Sequence, residues 1–302
     1  MKMHYEYAID PDAITKSWES FRYIIEKFGF EKGRLISQYP KKWTREVYSK
    51  TNSFSVTQRK RAEVALEIAK KQKIIKSRRD YDPQVGQWID NVAKTHLDNP
   101  FHAIISQEDQ RYKLPYLDPD DLDQNHPLMV IQRERDVVRQ TDEMLLALEA
   151  VLLNAKKLIF VDAYFDPYNK DQFNFFSSAL TMIAAKNPNS KSEIHYKFRH
   201  ARANTLDVIE SRAYEMLPKN YEITIYCWEE KQGGEDFHAR YLLSDLCGVR
   251  IDAGFQPTGV HQSTDFSLMA YALAQKRLQY LAPNSSVYNL IGEPLELIGK
   301  KN

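Results

Sequence analysis

Residues 236–245 read DFHARYLLSD and place an imidazole, a guanidinium and a carboxylate within one short window. The apolar run YLL in its middle is typical of a buried strand. Side chains two apart in a strand share a face, so we expect His238 and Arg240 to point the same way. Asp245, at the far end of the strand, is a candidate for fixing an imidazole tautomer. A strand with a hydrogen-bonded His and a surface Arg is the structural alternative.

The spacing His238-x-Arg240-x4-Asp245 resembles the motif of the phospholipase D superfamily, whose usual form is His-x-Lys-x4-Asp. Arg240 stands where that family usually has Lys, and segment 248–255 matches the family's downstream stretch only loosely. The resemblance implies phosphodiester transfer through a covalent phosphohistidine, with His238, Arg240 and Asp245 as catalytic residues and neither metal nor cofactor. It also implies that a chain with one motif forms a homodimer whose two His238 side chains share one cleft.

Two functions are compatible with this resemblance. The first is a metal-independent phosphodiesterase, and a nuclease is favoured over a lipase because the chain has a basic segment and no apolar membrane-binding helix. Bacterial defence systems combine such domains with a partner ATPase, so the resemblance implies a subunit of a larger assembly. The second function is a catalytically silent domain that binds nucleic acid or a partner protein. Arg240 keeps this alternative open, because Arg binds phosphate oxygens well through its planar fork.

The composition is that of a globular protein. The 302 residues allow one large or two ordinary domains, and 27% charged and 43% hydrophobic residues argue against a disordered or membrane-embedded chain. We find neither a long apolar run nor the apolar core of a signal peptide, so we expect a cytoplasmic protein that does not contact membranes. Cys227 and Cys247 are too few for a disulfide framework and are predicted to be buried thiols.

Residues 1–114 are predicted to form a mainly helical, basic domain. Apolar residues three and four apart predict helices near 18–28, 55–75 and 83–96. Between Lys41 and Arg79, thirteen Lys or Arg residues stand against three acidic residues. A solvated helix face is one explanation, and contact with a phosphate backbone is the other. The candidate substrate-binding residues of this segment are Lys70, Lys71, Lys73, Arg78 and Arg79.

Residues 115–127 contain three prolines and four aspartates, which predicts a linker between two domains. In residues 128–302 strand and helix patterns alternate, which predicts an α/β domain. The family resemblance implies that this domain is phospholipase D-like, with a mixed sheet flanked by helices.

Three further residues are candidate accessory groups of the site: Asp162, His200 and His261. Asp162 lies within the largely apolar run 158–165 and four residues before Asp166. The two carboxylates are candidates for acid/base partners, although an ordinary structural pair at a strand end explains them as well. His195 and His200 flank Arg199 and are candidates to line the same cleft, but no third ligand stands at metal spacing, so no metal site is predicted.

Overall fold

A computed structural model of the chain describes residues 2–123, 125–200 and 204–300. Within these residues the backbone forms nine α-helices and fourteen strands in two sheets, which confirms the α/β class. The chain divides into two compact units. One comprises His4–Gln132, and the other begins at Arg133 and also includes Lys2 and Met3. Both cysteines are buried and free of disulfides, as predicted.

The N-terminal unit is built on a parallel sheet of five strands. These strands are β1 (Tyr5–Ile9), β2 (Arg34–Gln38), β3 (Ile74–Lys76), β4 (Ala103–Ile105) and β5 (Tyr116–Leu117). Their order across the sheet is β3-β2-β1-β4-β5, so the first strand of the chain lies in the centre. This order is that of an open α/β sheet, in which the chain reverses its direction of winding beside the first strand.

Five helices cover both faces of this sheet. They are α1 (Pro11–Thr15), α2 (Trp18–Lys27), α3 (Trp43–Ser49), α4 (Val56–Gln72) and α5 (Trp88–Asp98). Because alternate side chains of a strand point to opposite faces, β1 contributes side chains to two separate hydrophobic cores. Tyr7 and Ile9 pack in a cluster that includes residues of α1 to α4, whereas Ala8 packs with Ile89 and Val92 of α5.

The expected helical N-terminal domain was therefore wrong, and the physical reason is the shortness of its strands. Strands of two to five residues are too short to show a clear alternation, so the sequence pattern was dominated by the stronger helical periodicity. Ile74 and Ile75 belong to β3 and not to the preceding helix. The predicted linker 115–127 contains β5 and is part of the N-terminal unit, which extends to Gln132.

The C-terminal unit contains a mixed sheet of nine strands. These are β6 (Glu134–Val138), β7 (Lys157–Val161), β8 (Lys191–Lys197), β9 (Glu222–Glu230), β10 (Tyr241–Ser244), β11 (Gly248–Ile251), β12 (Ser263–Leu268), β13 (Tyr288–Leu290) and β14 (Leu295–Ile298). The order is β13-β9-β8-β7-β10-β11-β12-β6, with β14 also paired to β9. Strands β7, β8 and β9 are parallel, and the remaining pairs are antiparallel.

Helices pack on both faces of this sheet as well. They are α6 (Thr141–Asn154), α7 (Lys170–Lys186), α8 (Leu206–Glu215) and α9 (Tyr271–Tyr280). Strand β7 shows the two faces: Phe160 stacks edge-on against Phe176 of α7, with ring centroids 5.5 Å apart. Its neighbours Ile159 and Val161 belong to the cluster that includes Ala274 of α9. The two faces of β7 are therefore covered by different helices.

Strand β10 begins at Tyr241, later than predicted. His238 and Arg240 lie in the segment that leads into it, so the two side chains precede the strand. The alternation extends into this segment, because Phe237 is buried and Ala239 half-buried in the cluster on the α9 face. Val161 pairs with Tyr241, so the end of β7 lies beside the beginning of β10.

Candidate functional site

A buried carboxylate at the end of β7 organises the site. Asp162 is 1% exposed, and its two oxygens accept hydrogen bonds from the backbone N–H groups of Tyr164 (2.9 Å) and Phe255 (3.1 Å). Burial raises the pKa of Asp162, while these two N–H groups and Arg240 oppose the rise. Asp162 therefore holds its own turn and the loop after β11 together.

Gly254 is required in that loop. Its φ is +75°, a left-handed conformation that favours glycine. A Cβ atom at this position would come within 2.5 Å of Asp162 Oδ2 and 2.6 Å of Arg240 Cδ. The missing side chain thus makes the room in which the carboxylate and the arginine lie side by side.

Arg240 is fixed by contacts on several sides. Its Nη1 donates a hydrogen bond to the carbonyl of Asp252, and its Nε lies 3.9 Å from Asp162 Oδ1. The guanidinium also lies 5.0 Å from the ring centroid of Tyr164, within the range of a cation–π interaction. The side chain is 21% exposed, so a positive charge is held in place without being fully removed from solvent.

His238 is exposed and is oriented by a tyrosine. Its Nδ1 lies 3.1 Å from the hydroxyl oxygen of Tyr164, and the two rings meet edge to face at 5.8 Å. When Nδ1 carries the proton and donates it to this oxygen, Nε2 keeps its lone pair and is the nucleophilic atom. The Tyr164 contact thus orients the ring, and it is compatible with the tautomer that leaves Nε2 free to react.

A polar pocket of about 260 Å³ lies beside Tyr164 and Arg240. It brings two arginines together, because Arg199 also lines it and its guanidinium lies 5.8 Å from the Tyr164 ring. The other lining residues are Asp162, Asp166, Asn169, Gln172, Ala253 and Gln256. Asp166 and Gln172 are tied to each other, since the backbone N–H of Asp166 donates to Gln172 Oε1 at 2.7 Å. Two guanidinium groups next to amide side chains suit the oxygens of a phosphate.

Asp245 does not belong to this site, which corrects the role expected for it. Its Oδ1 accepts hydrogen bonds from the backbone N–H groups of Lys156 (2.8 Å) and Lys157 (3.1 Å). Asp245 lies seven positions after His238, which in an extended chain corresponds to roughly 23 Å at about 3.3 Å per residue. A strand cannot bend back on itself over this length, so Asp245 ties β10 to the start of β7 instead.

The other histidines of this unit make separate contacts. His200 is 82% exposed in its side chain, and its Nε2 lies 3.3 Å from Glu229 Oε1. His261 is exposed in the turn before β12. His195 is buried, with Nδ1 accepting from Trp228 Nε1 and Nε2 next to Glu193, and burial lowers its pKa. Nothing in the described part of the chain links any of these imidazoles to His238 by a hydrogen bond.

The basic residues of the N-terminal unit fall into two groups. Lys73 donates from Nζ to the carbonyls of Ile25 (2.8 Å) and Phe28 (2.9 Å), and burial lowers its pKa. Arg79 is buried and forms an ion pair with Glu6 at 2.7 Å. These two candidates are therefore structural.

The other three basic candidates lie on the surface of the N-terminal unit. Lys70 forms an ion pair with Glu67 at 2.5 Å, and its side chain is exposed. Lys71 and Arg78 are exposed, and they are the members of the predicted set that keep an accessible charge.

Tyr164 and Arg199 are the site residues that sequence reasoning missed. Tyr164 lies two residues beyond Asp162, and its position just after the apolar run that forms β7 was the available signal. Arg199 comes shortly after the end of β8, and because β7 and β8 are parallel, their ends meet at the same edge of the sheet.

Comparison with known proteins identifies no family for this chain. No family model matches it, and no curated protein does. Among solved structures it is similar to that of TrmBL2, described as an archaeal chromatin protein with a novel mode of DNA binding. That similarity covers 56% of this chain and 57% of the other, with 10% identity and a TM-score of 0.29. At this TM-score it supports no conclusion about fold or function. None of the helices in the described ranges has the length and apolar composition needed to cross a membrane.

Proposed function

We propose that this chain is a metal-independent phosphodiesterase that cleaves nucleic acid through a phosphohistidine on His238, in a phospholipase D-like domain. The observation that carries the proposal is the 3.1 Å contact between Tyr164 and Nδ1 of His238, made beside the fixed cation of Arg240. One aromatic ring thus connects a candidate nucleophile with a phosphate-binding group. Arg240 and Arg199 would hold the non-bridging oxygens while negative charge develops on them.

The reaction needs a second imidazole. Nε2 of His238 attacks phosphorus, and the N–P bond forms as the P–O bond to the leaving oxygen breaks. His238 of the partner subunit, in its protonated form, gives its proton to that oxygen. Water then attacks the phosphohistidine, gives its proton to the same neutral imidazole, and releases a phosphomonoester. A twofold homodimer would supply both histidines. A partner ATPase in a larger defence complex extends the proposal and rests on the family resemblance alone.

A second candidate function is phosphate binding without turnover. It is favoured by the contacts of Arg240, whose Nη1 donates to the carbonyl of Asp252 and whose Nε faces Asp162. A guanidinium held by the protein in this way retains donors for one phosphate, but it has little freedom to follow a moving phosphoryl group. Such a domain would bind nucleic acid or a phosphorylated partner and leave it intact.

Cleavage assays in EDTA separate the two candidates. The full chain is incubated with labelled single- and double-stranded DNA and RNA and with phospholipid vesicles, beside His238→Ala and the control His126→Ala. We expect nucleic acid cleavage that EDTA leaves unchanged, that His238→Ala abolishes and that His126→Ala retains. Cleavage that persists in His238→Ala would reject the nucleophile, and cleavage abolished by EDTA would reject the metal-free mechanism. Tight binding without cleavage would support the second candidate.

The dimer has its own test. Light scattering is expected to give a dimer, and a monomer that cleaves would contradict the shared site. Within one chain, the second imidazole would have to come from His200 or His261. His200→Ala and His261→Ala are therefore expected to keep full activity if the homodimer is correct. Mixing His238→Ala protein with wild type should lower activity more than dilution does, because mixed dimers carry one imidazole.

A further inference from the structure

A second pocket adjoins His238 on the α9 face of the sheet and is distinct from the polar pocket. We call it the aromatic pocket. It is lined by Tyr241 of β10, Tyr280 of α9, Tyr288 of β13, Arg277 and His238, among others. Its volume is about 160 Å³. An engineered protein cavity of roughly 150 Å³ holds one benzene ring, so this space has the size of a single flat ring.

Arg277 gives the aromatic pocket its chemical character. Its guanidinium lies 5.9 Å from the ring centroid of Tyr241 and 5.4 Å from that of Tyr280. Its Nη1 pairs with Glu235 Oε1 at 2.5 Å. Its Nε is buried and has no hydrogen-bond partner among the residues that the structure describes. A buried donor without an acceptor is unfavourable, so a ligand that brings an acceptor to Arg277 gains from meeting it.

These features favour a nucleobase over an acyl chain. A base has a flat face that stacks on tyrosine and on a guanidinium, and its edge carries ring nitrogens and carbonyl oxygens that accept hydrogen bonds. An acyl chain would leave the Nε of Arg277 unpaired and needs an elongated apolar groove. Since His238 lines the aromatic pocket, a phosphate at His238 and a base in the pocket belong to one nucleotide or to adjacent ones.

We propose that the aromatic pocket holds a nucleobase next to the phosphate that His238 attacks, which makes unpaired, single-stranded nucleic acid the preferred substrate. The inference rests on the proposed function, because it assigns the substrate class of the same site. Bases in a duplex are stacked and paired, and a base must be taken out of the stack before it enters a pocket of this kind. Unstacking and unpairing a base costs free energy, and a base in a single strand is already unpaired.

Binding at fixed salt, measured by stopped flow before cleavage sets in, tests the assignment with two chains of equal length. One is oligothymidylate, and the other is the same phosphate backbone without bases. We expect the wild type to bind oligothymidylate about tenfold more tightly than the abasic chain, since stacking one base on an aromatic ring is worth about that factor or more. Tyr280→Leu is expected to remove this preference and to leave abasic binding unchanged.

Two further variants keep the test independent of misfolding. Tyr280→Phe retains the ring and is expected to retain the preference for oligothymidylate. Tyr271→Leu changes an exposed tyrosine on the same helix, outside the aromatic pocket, and is expected to bind both chains as the wild type does. Circular dichroism checks that each variant is folded.

The outcomes distinguish the pocket from the chemistry. Equal affinity of the wild type for the two chains, or an equal loss on both in Tyr280→Leu, overturns the pocket assignment. An abasic chain cleaved as fast as oligothymidylate overturns it as well, while the His238 chemistry stands. Base-dependent binding by a wild type that cleaves neither chain rejects the chemistry and supports the pocket. If the wild type binds neither chain, both the pocket assignment and the His238 chemistry are rejected.

Discussion

The hydroxyl oxygen of Tyr164 lies 3.1 Å from Nδ1 of His238, although 74 residues separate them in the chain. Tyr164 makes the contact that we had expected Asp245 to make. A phenol orients the ring through a hydrogen bond, as a carboxylate would.

Tyr164→Phe removes this orienting contact. We expect the cleavage rate to fall about fivefold, since one neutral hydrogen bond is worth roughly 1 kcal/mol and about 1.4 kcal/mol corresponds to tenfold in rate. Phosphate affinity should stay within about twofold, because phenylalanine keeps the ring beside Arg240. Single-turnover rates and binding are compared with those of the control Tyr168→Phe. This variant removes a hydroxyl that donates to the carbonyl of Val208 at 3.1 Å. An unchanged rate in Tyr164→Phe would remove the tyrosine from the mechanism.

Gly254→Ala should destabilise the C-terminal unit and weaken the site. The new Cβ would collide with Asp162 and Arg240 and would also strain the backbone at φ +75°. We expect a loss of about 3 kcal/mol in urea unfolding. Gly233→Ala is the matched control, because its φ is +70° and nothing lies within 4 Å of the added Cβ. The control loses only the backbone part, about 1 kcal/mol. Equal losses in the two variants would show that the contact with Asp162 is unimportant.

Asp245→Ala is expected to lower stability and leave the chemistry intact. The substitution removes the acceptor of two backbone N–H groups at the start of β7, which we estimate at about 1–2 kcal/mol. Asp245→Asn keeps the oxygen and should recover most of this loss. Both variants should cleave at the wild-type rate at a temperature where they remain folded. A rate reduced as strongly as in His238→Ala would restore Asp245 to the active site.

Stability should fall in mild acid because of His4. Burial lowers the pKa of His4 from 6.5 to about 4, and its Nε2 contacts the carbonyl of Phe30 at 2.9 Å. Below pH 6.5 the unfolded chain takes up a proton at His4 that the folded chain accepts only near pH 4, so unfolding is favoured as the pH falls through this window. The full effect is about 3 kcal/mol.

Urea unfolding at a series of pH values measures this dependence. His4→Gln should flatten the decline of stability between pH 6.5 and pH 4, because the amide does not titrate there. An unchanged slope in His4→Gln would contradict the assignment to His4.

The basic residues of the N-terminal unit should separate by role. Lys71→Gln and Arg78→Gln remove exposed charges, so each is expected to weaken nucleic acid binding and to lower the slope of log K against log salt by about 1. Lys73→Gln and Arg79→Gln remove buried contacts and should lower the melting temperature instead. Anisotropy titrations at several salt concentrations give the slopes. Slopes that stay unchanged in Lys71→Gln and Arg78→Gln would remove this unit from the binding surface.

Local pattern was sufficient for part of the fold. The capping box of Ser55 and Gln58 starts α4 where the periodicity predicted a helix, and the apolar run before Asp162 forms β7. The alternation of the second half predicted its α/β class. The short parallel strands could not be predicted from the sequence, because β3 and β4 have only three residues each and so show no periodicity.

By itself, the sequence determined which groups are available for chemistry: an imidazole and a guanidinium two residues apart, next to an apolar run typical of a strand. Only the tertiary structure decided their partners. The pairing of β7 with β10 brings Asp162 and Tyr164 to His238 and Arg240, and the same pairing carries Asp245 to the opposite end of the strand. Spacing along a chain fixes which face a side chain takes, whereas strand register decides which distant residue it meets.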